Sequence, residues 1–316
     1  MQQQTAVTLR QALGNAALPF SEQEPLAPHT TFRIGGAARF WLTPKNTAQL
    51  REMLALCRAH GVRRYLLGNG SNTLFSDEGF DGAVIDLRGI DAPAVCETQP
   101  DGTAVLTVSA GSTLGRLCAE AQSRGLTGLE FACGIPGTVG GAVYMNAGAY
   151  GGEMKDVLTE VTFLNEDGAL CTLPVAELAL GYRTSVFEQH PAWCIVSARV
   201  RLAAGDKDAI TAQMQDFLQR RRDKQPLEWP SAGSTFKRPQ GAFAGQLIED
   251  CGLRGLQVGG AQISEKHCGF VINRGGATCA DVLALTEQVK RVVREKTGFV
   301  LEREIRVVKE FLRGNL

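Results

Sequence analysis

The chain has 316 residues, 44% of them hydrophobic, with 33 Lys and Arg balancing 33 Asp and Glu. That length supports a sizeable buried core and roughly two or three domains. The even charge excludes the one-signed field that draws a protein to nucleic acid or anionic lipid, so a small molecule is the expected partner.

The N-terminal stretch MQQQTAVTLRQALGNAAL carries a single Arg and no continuous apolar run, and nowhere do about 18 apolar residues follow one another. The expectation is a cytoplasmic protein with neither an export signal nor a membrane span. The first helix is expected from about Asn46, with Gln49 placed for a capping box. Leu50, Met53, Leu54 and Cys57 form its stripe, and Gly61 follows its end. A strand at 64–67 leads directly into Gly68-Asn69-Gly70-Ser71-Asn72. Glycines let a backbone turn its N–H groups toward an anion, and Ser and Asn side chains add donors, which suits a dinucleotide pyrophosphate. The same loop reads equally well as a tight turn. It does not complete a Rossmann fingerprint, because Thr73 occupies the third glycine position and no striped helix follows.

Further short β-rich runs lie at 83–85, 105–108, 161–164 and 194–196. Between them, Ser112 is expected to cap a second helix with Leu114, Leu117, Cys118 and Ala121 inward and Gly125 ending it. A second glycine-rich segment runs Gly134-Ile135-Pro136-Gly137-Thr138-Val139-Gly140-Gly141-Ala142 and continues through Asn146 and Gly148 to Gly152. It lacks the Gly-Lys-Ser/Thr of a phosphate-binding P-loop, which disfavours nucleoside triphosphate hydrolysis. Such a density of Gly and Ala lets backbone approach a large planar apolar group, of which a flavin ring is one.

Composition changes at Ala203-Ala204-Gly205-Asp206, where β-rich sequence gives way to a polar helical pattern over 207–222. The basic run Arg220-Arg221-Arg222 precedes Lys224, which suits either an anionic substrate group or a helix C-terminus. A third helix starts near Thr278 with Asp281 in its first turn, carries Val282, Leu285, Val289 and Val292, and stops at Gly298. Residues 299–308 read as a strand, with Leu301, Ile305 and Val307 on one face and Glu302, Glu304 and Arg306 on the other. Strands and helices mix without regular alternation, so the fold class is α+β. The nine cysteines show no CxxC or zinc-ligand spacing and are read as reduced thiols, with no metal site.

Several strings occur together in order: Thr30-Thr31-Phe32-Arg33-Ile34-Gly35-Gly36, the 68–72 loop, the 134–152 segment, and Gly181-Tyr182-Arg183. Ser231-Ala232-Gly233-Ser234-Thr235-Phe236-Lys237, Gly260-Ala261-Gln262-Ile263-Ser264 and Leu301-Glu302-Arg303-Glu304 complete the series. In that order they resemble the UDP-N-acetylenolpyruvoylglucosamine reductase (MurB) family over about residues 28–310, in its shorter type II form.

The resemblance implies a PCMH-type FAD-binding fold of two subdomains over 1–204, to which the last strand, 299–316, returns. A C-terminal α+β substrate-binding domain spans 205–298. It implies noncovalent FAD, NADPH as co-substrate, and reduction of UDP-N-acetylglucosamine enolpyruvate to UDP-N-acetylmuramate by hydride from flavin N5. Cofactor contacts are expected from Gly68, Asn69, Gly70, Ser71, Asn72, Gly134, Ile135, Pro136, Gly137, Thr138, Gly140, Gly141, Ala142, Asn146 and Gly148, and substrate contacts from Tyr182, Lys224 and Gln262. The family pattern assigns Arg183 as the cation, Ser234 as the proton donor and Glu304 as the acid. On residue pattern alone, Arg183 reads first as a solvated surface Arg and Ser234 as a turn hydroxyl. Glu302 and Glu304 share a face, so periodicity does not separate them. A monomer is expected. The rival readings are a PCMH-type sugar or alcohol oxidase and a flavin- or UDP-sugar-binding module without turnover.

Overall fold

In a computed structural model, which describes residues 3–308, the chain forms two compact units. One comprises residues 3–21, 41–69 and 83–221; the other comprises 22–40, 70–82 and 222–308.

The first unit is organised around an antiparallel sheet with strand order Leu170–Pro174, Leu158–Leu164, Cys194–Ala204, Ala104–Ser109, Val95–Thr98. The 194–204 strand is central and alternates over its middle: Ala198, Val200 and Leu202 are buried, while Ser197, Arg199 and Arg201 point away. Its buried face packs with Leu106, Val108, Val161 and Phe163 against helices Leu114–Ser123 and Val139–Tyr144. Helix Thr47–Ala59 buries Leu50, Met53, Leu54 and Cys57, as its stripe predicts. Asn46 Oδ1 accepts from the Gln49 N–H at 2.9 Å, while the Gln49 side chain reaches Lys45 N rather than Asn46 N. Strand Arg64–Leu67 then pairs in parallel with Ala83–Asp86 and delivers the chain to Gly68.

The second unit carries an antiparallel sheet ordered Ser231–Ser234, Phe270–Asn273, Ala261–Ile263, Gln257–Val258. Helix Cys279–Thr297 packs onto it through Val282, Leu285, Val289 and Val293. Thr278 caps the helix, with the full capping box to Asp281. Asp77 reinforces that end by accepting from the N–H groups of Cys279 and Ala280 at 2.6 and 3.0 Å. A carboxylate there also complements the helix dipole.

Besides the Gln49 bond, three sequence expectations need correction. Thr113, not Ser112, caps the 114–123 helix, because the Ser112 hydroxyl is taken by Asp91. Val293 fills the buried place in the last helix, and Val292 is only partly buried. The 299–308 run is not one strand. Only Arg306–Val308 forms a ladder, parallel to Thr73–Phe75, with an isolated bridge at Arg303 to Phe236. Leu301 and Ile305 are both core residues, as the alternation places them, but Val308 rather than Val307 is the buried residue of the closing ladder.

The compact division falls after Arg221, inside helix Lys207–Lys224, rather than at the composition change near Ala204. Ile210 is buried and Met214 packs on the first unit's core, which keeps the front of that helix with the sheet it follows. All nine cysteines are free, and burial pushes the Cys57 and Cys194 thiols up to about 12. Among the described residues there is no cluster of His, Cys, Asp and Glu able to hold a metal, and no helix long and apolar enough to cross a membrane.

Thr278→Ala removes one of the two acceptors at the last helix's N-terminus and is expected to cost about 1 kcal/mol. The urea midpoint should fall with an unchanged slope. An unmoved midpoint would mean that Asp77 caps this end alone.

Candidate functional site

In the first unit the two glycine-rich stretches meet. A Cβ on Gly68 would lie 2.4 Å from Thr138 Oγ1, so only glycine permits this approach. The Asn69 side chain donates to the Pro136 carbonyl at 2.7 Å and latches the loop across the 134–138 segment. Thr138 caps the short 139–144 helix, and the Gly140 N–H donates to the Ala110 carbonyl at 2.9 Å. At Gly140 an added Cβ would meet Ala110 Cβ at 2.9 Å. Gly137 accepts from the Leu114 N–H, and Ala142 is buried. Gly134 leaves room for Arg221, whose Cδ would lie 2.9 Å from a Cβ there. No charged side chain interrupts residues 134–148.

Asn146 behaves differently from the donors expected of it. Its side chain is fully buried and donates to Glu153 Oε2 at 2.6 Å and to the Gly181 carbonyl at 3.0 Å, while its Oδ1 accepts from Lys155 N at 2.9 Å. Gly181 and Thr184 bridge to each other, so Tyr182 and Arg183 are the two central residues of a tight turn. Arg183 sits in the left-handed region at φ 58, which disfavours a bulky side chain. Its guanidinium donates to the Gly148 carbonyl at 3.3 Å and lies 5.1 Å from the centre of the Tyr182 ring, which is itself exposed.

In the second unit the segment Ser231–Lys237 runs beside 302–304. A register shift separates Ser231 from Ser234, with Gly233 between them at φ 76, and Ser234 is exposed opposite Phe270. Buried Thr235 is the junction. Its N–H donates to Gly269 O at 2.8 Å, its hydroxyl accepts from Val271 N at 2.9 Å, and its carbonyl accepts from Glu304 N at 2.9 Å. Ser234 and Glu304 are thereby held on paired segments. The exposed carboxylate of Glu302 pairs with Lys237 Nζ at 2.6 Å.

The 70–72 part of the first loop belongs to this second unit. Gly70 lies against the His29 carbonyl, which a Cβ would approach to 2.3 Å, and Ser71 is half-buried. Asn72 donates through its side chain to Glu304 O at 3.2 Å and accepts from Arg306 N at 2.9 Å. The Gln262 amide turns onto the Gly255 carbonyl at 3.2 Å. Lys224 is exposed at the end of its helix, where Lys266 Nζ, rather than Lys224, donates to the Arg222 carbonyl at 2.6 Å. Burial, with Lys224 acting in the same direction, holds the His267 imidazole below its ordinary value, and His267 Nδ1 accepts from Gly269 N at 3.1 Å. The structural roles of Thr235 and Asn146 had no sequence signal beyond their place inside the motifs.

Residues 225–308 match the family described as UDP-N-acetylenolpyruvoylglucosamine reductase, C-terminal domain, and residues 38–174 match the FAD binding domain family. The curated UDP-N-acetylenolpyruvoylglucosamine reductase of Agathobacter rectalis is 47% identical over 297 residues, which cover 92% of this chain and 94% of that protein. This chain belongs to the MurB family. A second relative of the same name, from Clostridium botulinum, is 44% identical over 287 residues, covering 91% of this chain and 92% of its own. The crystal structure of MurB from Thermus caldophilus matches with a TM-score of 0.75 at 35% identity, over 92% of this chain and 98% of that one.

The protein is accordingly an FAD-dependent oxidoreductase of peptidoglycan precursor synthesis, with the α+β, PCMH-type flavin-binding fold. The residues present fit FAD. Glycine at 68 lets the two glycine-rich stretches approach closely at Thr138, and residues 134–148 present no carboxylate to repel a pyrophosphate.

Gly68→Ala forces its new methyl onto Thr138 and is expected to reduce FAD retention by about tenfold or more, on the scale of a strained backbone shift. The ratio of flavin absorbance to protein after gel filtration checks this, and full retention would exclude the 68–138 contact from cofactor binding.

Proposed function

We propose that this MurB-family enzyme reduces UDP-N-acetylglucosamine enolpyruvate to UDP-N-acetylmuramate, with NADPH as the reductant of its noncovalent FAD. Residues 1–204 and the returning C-terminal strand serve the flavin, and 205–298 serve the substrate. It works as a cytoplasmic monomer on a small-molecule substrate. The observation carrying the reading is the Thr235 junction, which holds Ser234 and Glu304 on paired segments and ties Glu304 to Asn72 of the glycine loop.

FAD, when bound, supplies the hydride taken up by the enolpyruvyl methylene carbon. Negative charge then grows on the adjacent carbon and spreads into the substrate carboxylate. The guanidinium of Arg183 stabilises that charge. The hydroxyl of Ser234 delivers the proton to the same carbon, and Glu304 orients and polarises the developing enolate. A serine hydroxyl is a weak acid in water, so this role requires its surroundings to stabilise the alkoxide and a relay to replace the proton. The exposed position of Ser234 leaves it accessible to substrate. Lys224 meets the diphosphate or the substrate carboxylate as a point charge, and Tyr182 supplies a further contact from its exposed ring. Gln262 contributes through its place in the same sheet as Ser234.

Stopped-flow measurement of the two half-reactions tests the assignment. Ser234→Ala should leave reduction of FAD by NADPH within about threefold of normal and slow reoxidation by substrate by about 10²–10⁴-fold, the scale of lost acid catalysis. Equal slowing of both halves would make Ser234 a flavin-holding residue instead.

A further inference from the structure

We infer that Asn146 is a positioning residue for the Tyr182–Arg183 turn rather than a ligand of the cofactor. The inference rests on the proposed role of Arg183. All its contacts lie within the first unit.

Asn146 closes the 139–144 helix in a left-handed conformation, φ 41, which Asn tolerates better than most residues. Both hydrogens of its amide nitrogen are engaged, one by a carboxylate and one by a carbonyl, and its oxygen takes a backbone N–H. Only one amide orientation satisfies that set, since the flipped form would aim oxygen at two acceptors. A fully buried side chain with this pairing is committed to the protein.

The pairing has a direction. Residues 148–153 form a small hairpin in which Gly148 opposes Glu153. Three bonds carry the 181–185 stretch on this base: Asn146 Nδ2 to Gly181 O, Arg183 Nη2 to Gly148 O at 3.3 Å, and Ser185 Oγ to Tyr144 O at 2.7 Å. Gly181 O also accepts from Thr184 N at 3.4 Å, so the carbonyl that closes the turn is the one Asn146 grips. Arg183 holds an unfavourable φ, and such a conformation persists only where its surroundings over-determine it. The buried amide, backed by Glu153, is the side chain outside the turn that grips the carbonyl closing it.

Asn146→Asp keeps the size, the Oδ1 acceptor and much of the left-handed tolerance, but sets an oxygen against Glu153 and the Gly181 carbonyl. FAD content and the rate of flavin reduction by NADPH are expected within about threefold of wild type. Reoxidation by UDP-N-acetylglucosamine enolpyruvate should slow about 10–100-fold, carried in kcat more than in KM, as for an ångström-scale misplacement. Glu153→Gln, which still offers an acceptor, should stay near wild type. In an Arg183→Ala background, Asn146→Asp should add almost nothing, because its effect passes through Arg183.

Loss of flavin from Asn146→Asp, or a full additional loss on top of Arg183→Ala, would overturn the inference. Should Arg183→Ala itself leave reoxidation untouched, the proposed chemistry fails first, and the two failures are told apart by that single variant. If Asn146→Asp does not fold, Asn146→Gly removes the amide while keeping the backbone conformation, and the same outcomes apply.

Discussion

A buried peptide group that leaves a regular ladder has to find its hydrogen-bond partner elsewhere, and both functional segments of this protein are arranged by that requirement. In the second unit Thr235 meets it with three bonds at one residue, to Gly269, Val271 and Glu304. The chain at 302–304 is thereby paired to the segment that presents Ser234, although neither stretch is a long strand. In the first unit Asn146 does the equivalent for the irregular backbone at Gly181. Each junction is nearly inaccessible to solvent, so a missing partner would leave a desolvated polar group, which costs more than the bond itself contributes.

Around these junctions the glycines act by absence. Gly68 and Gly140 stand where a methyl would collide with Thr138 and Ala110, so the glycine-rich stretches close on each other through backbone and small side chains. Polar side chains within them are turned largely to internal use. Asn69 bonds Pro136 and Asn72 bonds Glu304, which means the loops are stiffened before any ligand arrives. Preorganisation of this kind lowers the ordering cost of binding a dinucleotide. Arg183 is the opposite case, a bulky residue in a glycine-like conformation, and strain of that sort clusters at functional turns.

Much of this was legible in the sequence because it depends on neighbours along the chain. Helix stripes such as Leu50, Met53, Leu54 and Cys57, the start at Thr278 with Asp281 in the first turn, and the Gly298 stop repeat local rules that tertiary packing did not disturb. Two of the errors lie where a distant group intervened. Ser112 lost its capping role to an interaction with Asp91, and the 299–308 run was divided by pairing with 235–237.

The sequence by itself determined the family, the flavin and the α+β class. Ordered motifs across most of the chain are a property of residue identity and spacing, and they survive without coordinates. Tertiary structure alone decided the partners of these polar side chains, Lys237 for Glu302 and the carbonyl groups of Glu304 and Gly181 for Asn72 and Asn146. The physical reason is the same in each case. Whether a polar side chain is available for chemistry depends on partners such as Glu153 and Gly181 for Asn146, or Lys237 for Glu302, that lie too far along the chain for periodicity to register.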